Sequence, residues 1–103
     1  MTLILHADRL LAERLVERLA PLLALPAGEQ KRLLATLRSW LGHQRHTPAV
    51  AAELHVHPQT VRYRLTRVRE LLGSALDDPN ARLELELALR ALADGASRAR
   101  LGL

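Results

Sequence analysis

The segment from His55 to Leu72, HVHPQTVRYRLTRVRELL, constrains this chain more than any other. Val61, Leu65, Val68 and Leu72 recur at spacings of four, three and four, which aligns them as one apolar stripe on a helix of 3.6 residues per turn. A stripe of that kind must be covered by other elements. Pro58 suits the first helical position, where its missing N–H has no intrahelical partner and its fixed φ is already helical, so His57 becomes the residue before the helix. Away from the stripe stand Gln59, Thr60, Arg62, Tyr63, Arg64, Thr66, Arg67 and Arg69, with no acid between His55 and Glu70. The outer face is therefore cationic and rich in hydrogen-bond donors.

The segment in front supplies a second, shorter helix. Thr47 and Pro48 form an expected N-cap and first-turn pair, and Val50, Ala51 and Leu54 give a small apolar face. Ala51 is small where two helices must cross closely. His55 falls where the turn wants a left-handed residue; histidine is among the non-glycine residues that visit that region, and Val56 would plug the turn. Two helices joined this way make a helix-turn-helix. Arg makes two hydrogen bonds to guanine, Gln two to adenine, and Thr or Tyr reaches a base edge or a phosphate. Double-stranded DNA is the partner these residue types suit, although an arginine-rich amphipathic helix with a merely solvated face has the same pattern.

A chain of 103 residues has room for one modest domain. Leu and Ala dominate, Trp40 and Tyr63 are its only aromatic residues, and β-branched residues are few, so helices packed on helices are expected and no sheet. The formal net charge of +4 suits nucleic acid without proving it. Without cysteine there is neither a disulfide framework nor a thiolate metal site, which fits a reducing cytoplasm. No apolar run approaches the roughly 18 residues of a membrane span, so a soluble cytoplasmic protein is expected. The pairs His43/His46 and His55/His57 are dense, but only Glu53 is near, and they read as turn and phosphate-side groups rather than metal ligands. No hydroxyl sits in a nucleophile elbow and no glycine-rich loop could cradle a phosphate; neither an enzyme nor a cofactor is expected.

Ahead of the motif, Ala7 to Ala24 reads as an amphipathic helix with Leu11, Leu15, Leu19 and Leu22 on one side, kinked or ended near Ala20 by Pro21. Leu25 to Gly28, with Pro26, is the best boundary. Glu29 to Leu41 is the next helix, burying Leu33, Leu34, Leu37, Trp40 and Leu41, with Gly42 as its stop. HQRH at 43–46 is a polar loop carrying Arg45. After the motif Gly73 ends the helix, and Asp77 or Asp78 caps a last helix from Pro79 to about Asp94. Leu85, Leu89 and Leu92 stripe it, while Leu83 and Leu87 widen the stripe toward either the core or a second subunit. The organisation expected is 1–27 as a helical segment ending an upstream region, 28–94 as the helix-turn-helix domain, and 95–103 as a frayed tail.

On these motifs the chain resembles the C-terminal helix-turn-helix domain of the PucR family of bacterial transcription regulators. The resemblance runs from about Leu33 to Leu92 and is carried by LHVHPQTVRYRL at 54–65, ELLG at 70–73 and DDPNARLELELAL at 77–89. It implies a Fis-like helical DNA-binding domain that follows a larger sensory region, and with the helices read above an all-α, five-helix domain is expected. Any effector would bind that region rather than these residues.

The reading that results places helix 58–72 in the major groove and the preceding helix across the backbone. Gln59, Thr60, Arg62 and Tyr63 are the candidates for base contacts, Tyr63 being equally open to a core role. Arg45, Thr47, His57, Arg64, Arg67 and Arg69 are the candidates for phosphate contacts. One helix reads few base pairs, so a two-fold homodimer is expected. The alternative is a helical protein–protein interaction module with an Arg-rich face; a sigma-like promoter module shares the motif but would need polymerase contacts not visible here.

Overall fold

The computed structural model describes the backbone of residues 2–101 and the side chains of residues 10–95. The described chain is helical throughout, without strands: α1 (Thr2–Glu17), α2 (Ala20–Leu23), α3 (Ala27–Gly42), α4 (Thr47–Leu54), α5 (Pro58–Leu72) and α6 (Pro79–Leu101), with a 3-10 turn at Gly73–Leu76. The all-α expectation holds. Its five helices become six because Pro21 ends α1 and opens α2, rather than bending one helix.

The core gathers one stripe from each element. Val61, Leu65 and Val68 of α5 are buried in one cluster with Leu33, Leu37, Trp40 and Leu41 of α3 and Val50 and Ala51 of α4, which Leu85, Ala88 and Leu89 of α6 join through α3 and the 3-10 turn. Complete burial of a leucine or valine stabilises by roughly 1.5–3 kcal/mol relative to exposure, so this stripe dictates where α5 lies. Leu19 and Leu22 belong to the same cluster and are fully buried, so the break at Leu25–Pro26 separates helices and not cores.

Three local expectations are corrected. Leu11 is not on the buried side but 58% exposed, since the turn at Arg18–Leu19 takes Leu19 and Leu22 off the helix that carries it. Thr47 does not cap α4: the cap is His46, whose carbonyl accepts from Ala49 and Val50, and Thr47 is already helical. Proline is tolerated throughout a first turn, so Pro48 did not fix which residue precedes it outside the helix. The last helix passes Asp94 and Gly95 and reaches Leu101. One helical glycine costs about 1 kcal/mol against alanine, and the Ala and Arg residues that follow favour helix.

Asp78 rather than Asp77 starts α6, its Oδ2 accepting the Ala81 N–H at 2.8 Å. Arg82 donates to the Leu76 carbonyl at 3.0 Å, and Arg18 pairs with Glu84 at 2.6 Å, fastening the end of α1 to α6. Leu83 and Leu87 do not pack inside: they are 55% and 41% exposed.

Candidate nucleic-acid interface

The turn between α4 and α5 sets the orientation of the site. His55 adopts φ 55°, ψ 44°, as its place in the sequence led one to expect. The Val56 N–H reaches back to the Ala51 carbonyl at 3.0 Å and the His55 N–H to Ala52 at 3.4 Å, the paired bonds that close a helix on a left-handed residue. Val56 is half-buried against the core, and the chain re-enters a helix after one extended residue, His57. The His57 imidazole Nδ1 accepts the Gln59 N–H at 3.0 Å, capping α5 over Pro58.

The loop before α4 closes in the same way. The Arg45 N–H donates to the Trp40 carbonyl at 2.7 Å and Gln44 to Leu41 at 3.2 Å, with Gln44 and Arg45 both left-handed at φ 53° and 67°. Arg45 is thereby held exposed on a short, pinned loop beside the start of α4.

On α5, Gln59, Tyr63, Thr66 and Glu70 line the side opposite Val61, Leu65 and Val68. Tyr63 is 73% exposed, which decides its role against the core. Arg62 stands exposed beside this row and donates to Gln59 Oε1 at 3.1 Å; Thr66 donates to the Arg62 carbonyl at 3.0 Å. Thr60 and Arg64 flank the other side, half-buried. Gln59, Arg62 and Tyr63 thus come together on one turn and a half of exposed helix, while Thr60 sits at its margin.

The later arginines are engaged inside the molecule. Arg67 reaches Glu29 of α3 at 3.2 Å and Glu70 at 3.4 Å, and its guanidinium pKa rises, chiefly through the bond to Glu29. Arg69 lies over the Trp40 ring, 5.8 Å from its centroid, and 3.8 Å from Asp77. Pairing with Glu29, 38 positions away, carries no local signal. Glu70, which ends the acid-free stretch, lies on the exposed row and closes that row with a negative charge.

Behind the motif, His43 Nε2 and Glu53 Oε2 lie 3.0 Å apart and link the end of α3 to α4. The Ser39 hydroxyl is buried without a hydrogen bond of full geometry, but its nearness to the Glu53 carboxylate, followed by the bond to His43, holds that acid below its ordinary value of 4.5. Among the described residues no group of three or more potential metal ligands occurs, and no helix is long and apolar enough to cross a membrane.

Residues 33–91 match the family described as the PucR C-terminal helix-turn-helix domain, more than half of the chain. The chain belongs to that family. The matched PucR segment starts inside α3, so α1 and α2 lie outside it while sharing its core. The chain is also similar to a purine catabolism regulatory protein of Bacillus subtilis (strain 168), 44% identical over 62 residues that cover 60% of this chain and 12% of that one. A protein of Thermomonospora curvata described as an uncharacterized protein in pkwA 5'region is 39% identical over 64 residues, covering 62% of this chain and 36% of its own length. No solved structure matches. The PucR helix-turn-helix is a unit of transcription regulators, not of an enzyme family.

Proposed function

We propose that this domain binds double-stranded DNA sequence-specifically as the output domain of a PucR-type transcription regulator, with α5 in the major groove and α4 across the phosphate backbone. The observation that carries this reading is the exposed row on the first half of α5, where Gln59, Arg62 and Tyr63 stand together without an acid until Glu70. An N-terminal half of a recognition helix meets base edges, and Gln and Arg are the side chains that read adenine and guanine by paired hydrogen bonds. Gln59, Arg62 and Tyr63 are assigned to bases, with Thr60 at the edge of the reading surface.

His57, Arg45, Thr47 and Arg64 are assigned to phosphates, whose contacts fix register without carrying sequence information. Arg67 and Arg69 join them only by leaving Glu29 and Asp77. Two copies bound to an inverted repeat would give the specificity that one helix lacks. Residues 1–27 are read as the end of an upstream sensory region, where an effector would act, and the regulator as a cytoplasmic one.

Selection from a random duplex pool at about 0.15 M salt tests the reading, since retention of one sequence measures base readout and steep loss with salt measures phosphate contact alone. Wild type is expected to enrich one motif. Retention without enrichment would leave only a cationic surface, and preference for an acidic polypeptide over duplex in competition would favour the interaction-module alternative.

A further inference from the structure

The outer side of α6 carries an apolar strip that the rest of the described chain leaves open. Leu83 and Leu87 are 55% and 41% exposed, one turn apart on the same side of the helix. Beside them a groove of about 510 Å³ opens between the end of α3 and α6, with Leu41 and Leu89 among its lining and Arg38, Gly42, Arg90 and Ala93 around them. Along this side of α6 Glu86 and Arg90 stand one turn apart, with Asp94 a further turn on. Glu84 is occupied by Arg18, whereas Glu86 and Arg90 pair with no other described side chain.

We propose that a second copy of this chain docks on this strip, its α6 running antiparallel to the first about a two-fold axis at Leu87. The inference rests on the two-copy reading above and supplies its contact surface. Antiparallel pairing centred there sets Leu87 against the partner's Leu87 and brings Leu83 level with the partner's Ala91, the stretch of α6 whose neighbours Leu89 and Ala93 border the groove. Arg90 comes level with residue 84 of the partner, and two residues, or about 3 Å along a helix, separate that level from the partner's Glu86 on each side of the axis. Both ion pairs form at once by symmetry. A parallel two-fold pairing would instead carry Arg90 and the partner's Glu86 to opposite flanks of the contact, so charge selects the antiparallel arrangement.

The strip is narrow, and interfaces under about 1,200 Å² belong to weak, transient contacts. Self-association is therefore measured by sedimentation equilibrium at about 100 μM, with the whole chain. Wild type is expected to dimerise, and Leu87→Glu to remain monomeric with an unchanged helical circular-dichroism spectrum. Leu83→Glu repeats that test if Leu87→Glu loses helicity. The decisive pair is Glu86→Arg and Arg90→Glu: each alone sets like charges against like and stays monomeric, whereas an equimolar mixture forms a heterodimer because the two altered strips are complementary. A wild-type monomer at this concentration, a dimer that survives Leu87→Glu, or a mixture that fails to associate would overturn the proposal. None of these residues lies on α5, so the variants keep their affinity for a single-site duplex if the DNA reading holds; loss of DNA binding by a dimeric wild type would overturn that reading and leave this one standing.

Discussion

His57 Nδ1 accepts the backbone N–H of Gln59 at 3.0 Å, so one imidazole both ends the turn and starts the helix that follows. A ring nitrogen that accepts must be bare, which leaves the proton of the neutral ring on Nε2 as a donor. The cap and the proposed phosphate contact therefore use different atoms of the same side chain. His57→Ala removes both and is expected to cost about 1 kcal/mol of stability, read as a lower denaturant midpoint, together with a loss of affinity for every duplex. His57→Asn restores the cap, so stability returns while the affinity does not.

Glu29 holds Arg67 at 3.2 Å and keeps it from the solvent face of α5. Glu29→Gln is expected to release that cation to phosphate. Affinity should then rise alike for cognate and scrambled duplexes, and the salt slope should steepen by about one. An effect confined to the cognate sequence would show that Arg67 reads a base.

Leu22 is fully buried with Leu37 and Val61 although it precedes the matched family segment. Leu22→Ala is expected to cost about 2–5 kcal/mol in urea unfolding, as for other core leucines. A change below 0.5 kcal/mol, on the order of a surface substitution, would mean that α2 is an appendage and that residues 28–94 fold without it.

Glu53 has its carboxyl pKa lowered in the fold, first by the Ser39 hydroxyl and then by His43. A lowered acid binds fewer protons folded than unfolded, so its contribution is fully present above the ordinary 4.5 and is lost as pH falls through the folded value below it. Thermal midpoints taken from pH 6 down to pH 3 are expected to fall less steeply for Glu53→Gln than for wild type across that window. Parallel curves would remove Glu53 as a source of the acid dependence.

How much of this was legible in the sequence follows the range of each interaction. The stripe of α5, the left-handed His55 and the place of Pro58 are local, set by spacing and by a single residue's backbone preference, and they stand as expected. Tyr63 sits opposite the stripe, but a tyrosine is amphipathic, and only its exposure separated surface from core. Arg67 meets Glu70 one turn along its own helix, but Glu29 and Trp40 come from α3 and Asp77 from beyond α5, and no helical period reveals those partners. Leu11 shares an apolar period with Leu15, Leu19 and Leu22 but not their burial, because a helix break interrupts that period. The share of α1 and α2 in the core was hidden by the Pro and Gly residues at 26 and 28, which mark a turn equally well between two helices of one core or between two domains.

The central claim is that the exposed row of α5 reads bases while its surroundings hold phosphates. Fluorescence anisotropy on a selected duplex and its scrambled counterpart, for wild type, Arg62→Ala and Arg64→Ala, tests it most directly. Arg62→Ala is expected to lose about 1–3 kcal/mol on the selected duplex, little on the scrambled one, and to tolerate substitution at one base pair. Arg64→Ala is expected to weaken both duplexes equally. Equal losses on both duplexes for Arg62→Ala would contradict the account, reducing α5 to a cationic surface that holds DNA without reading it.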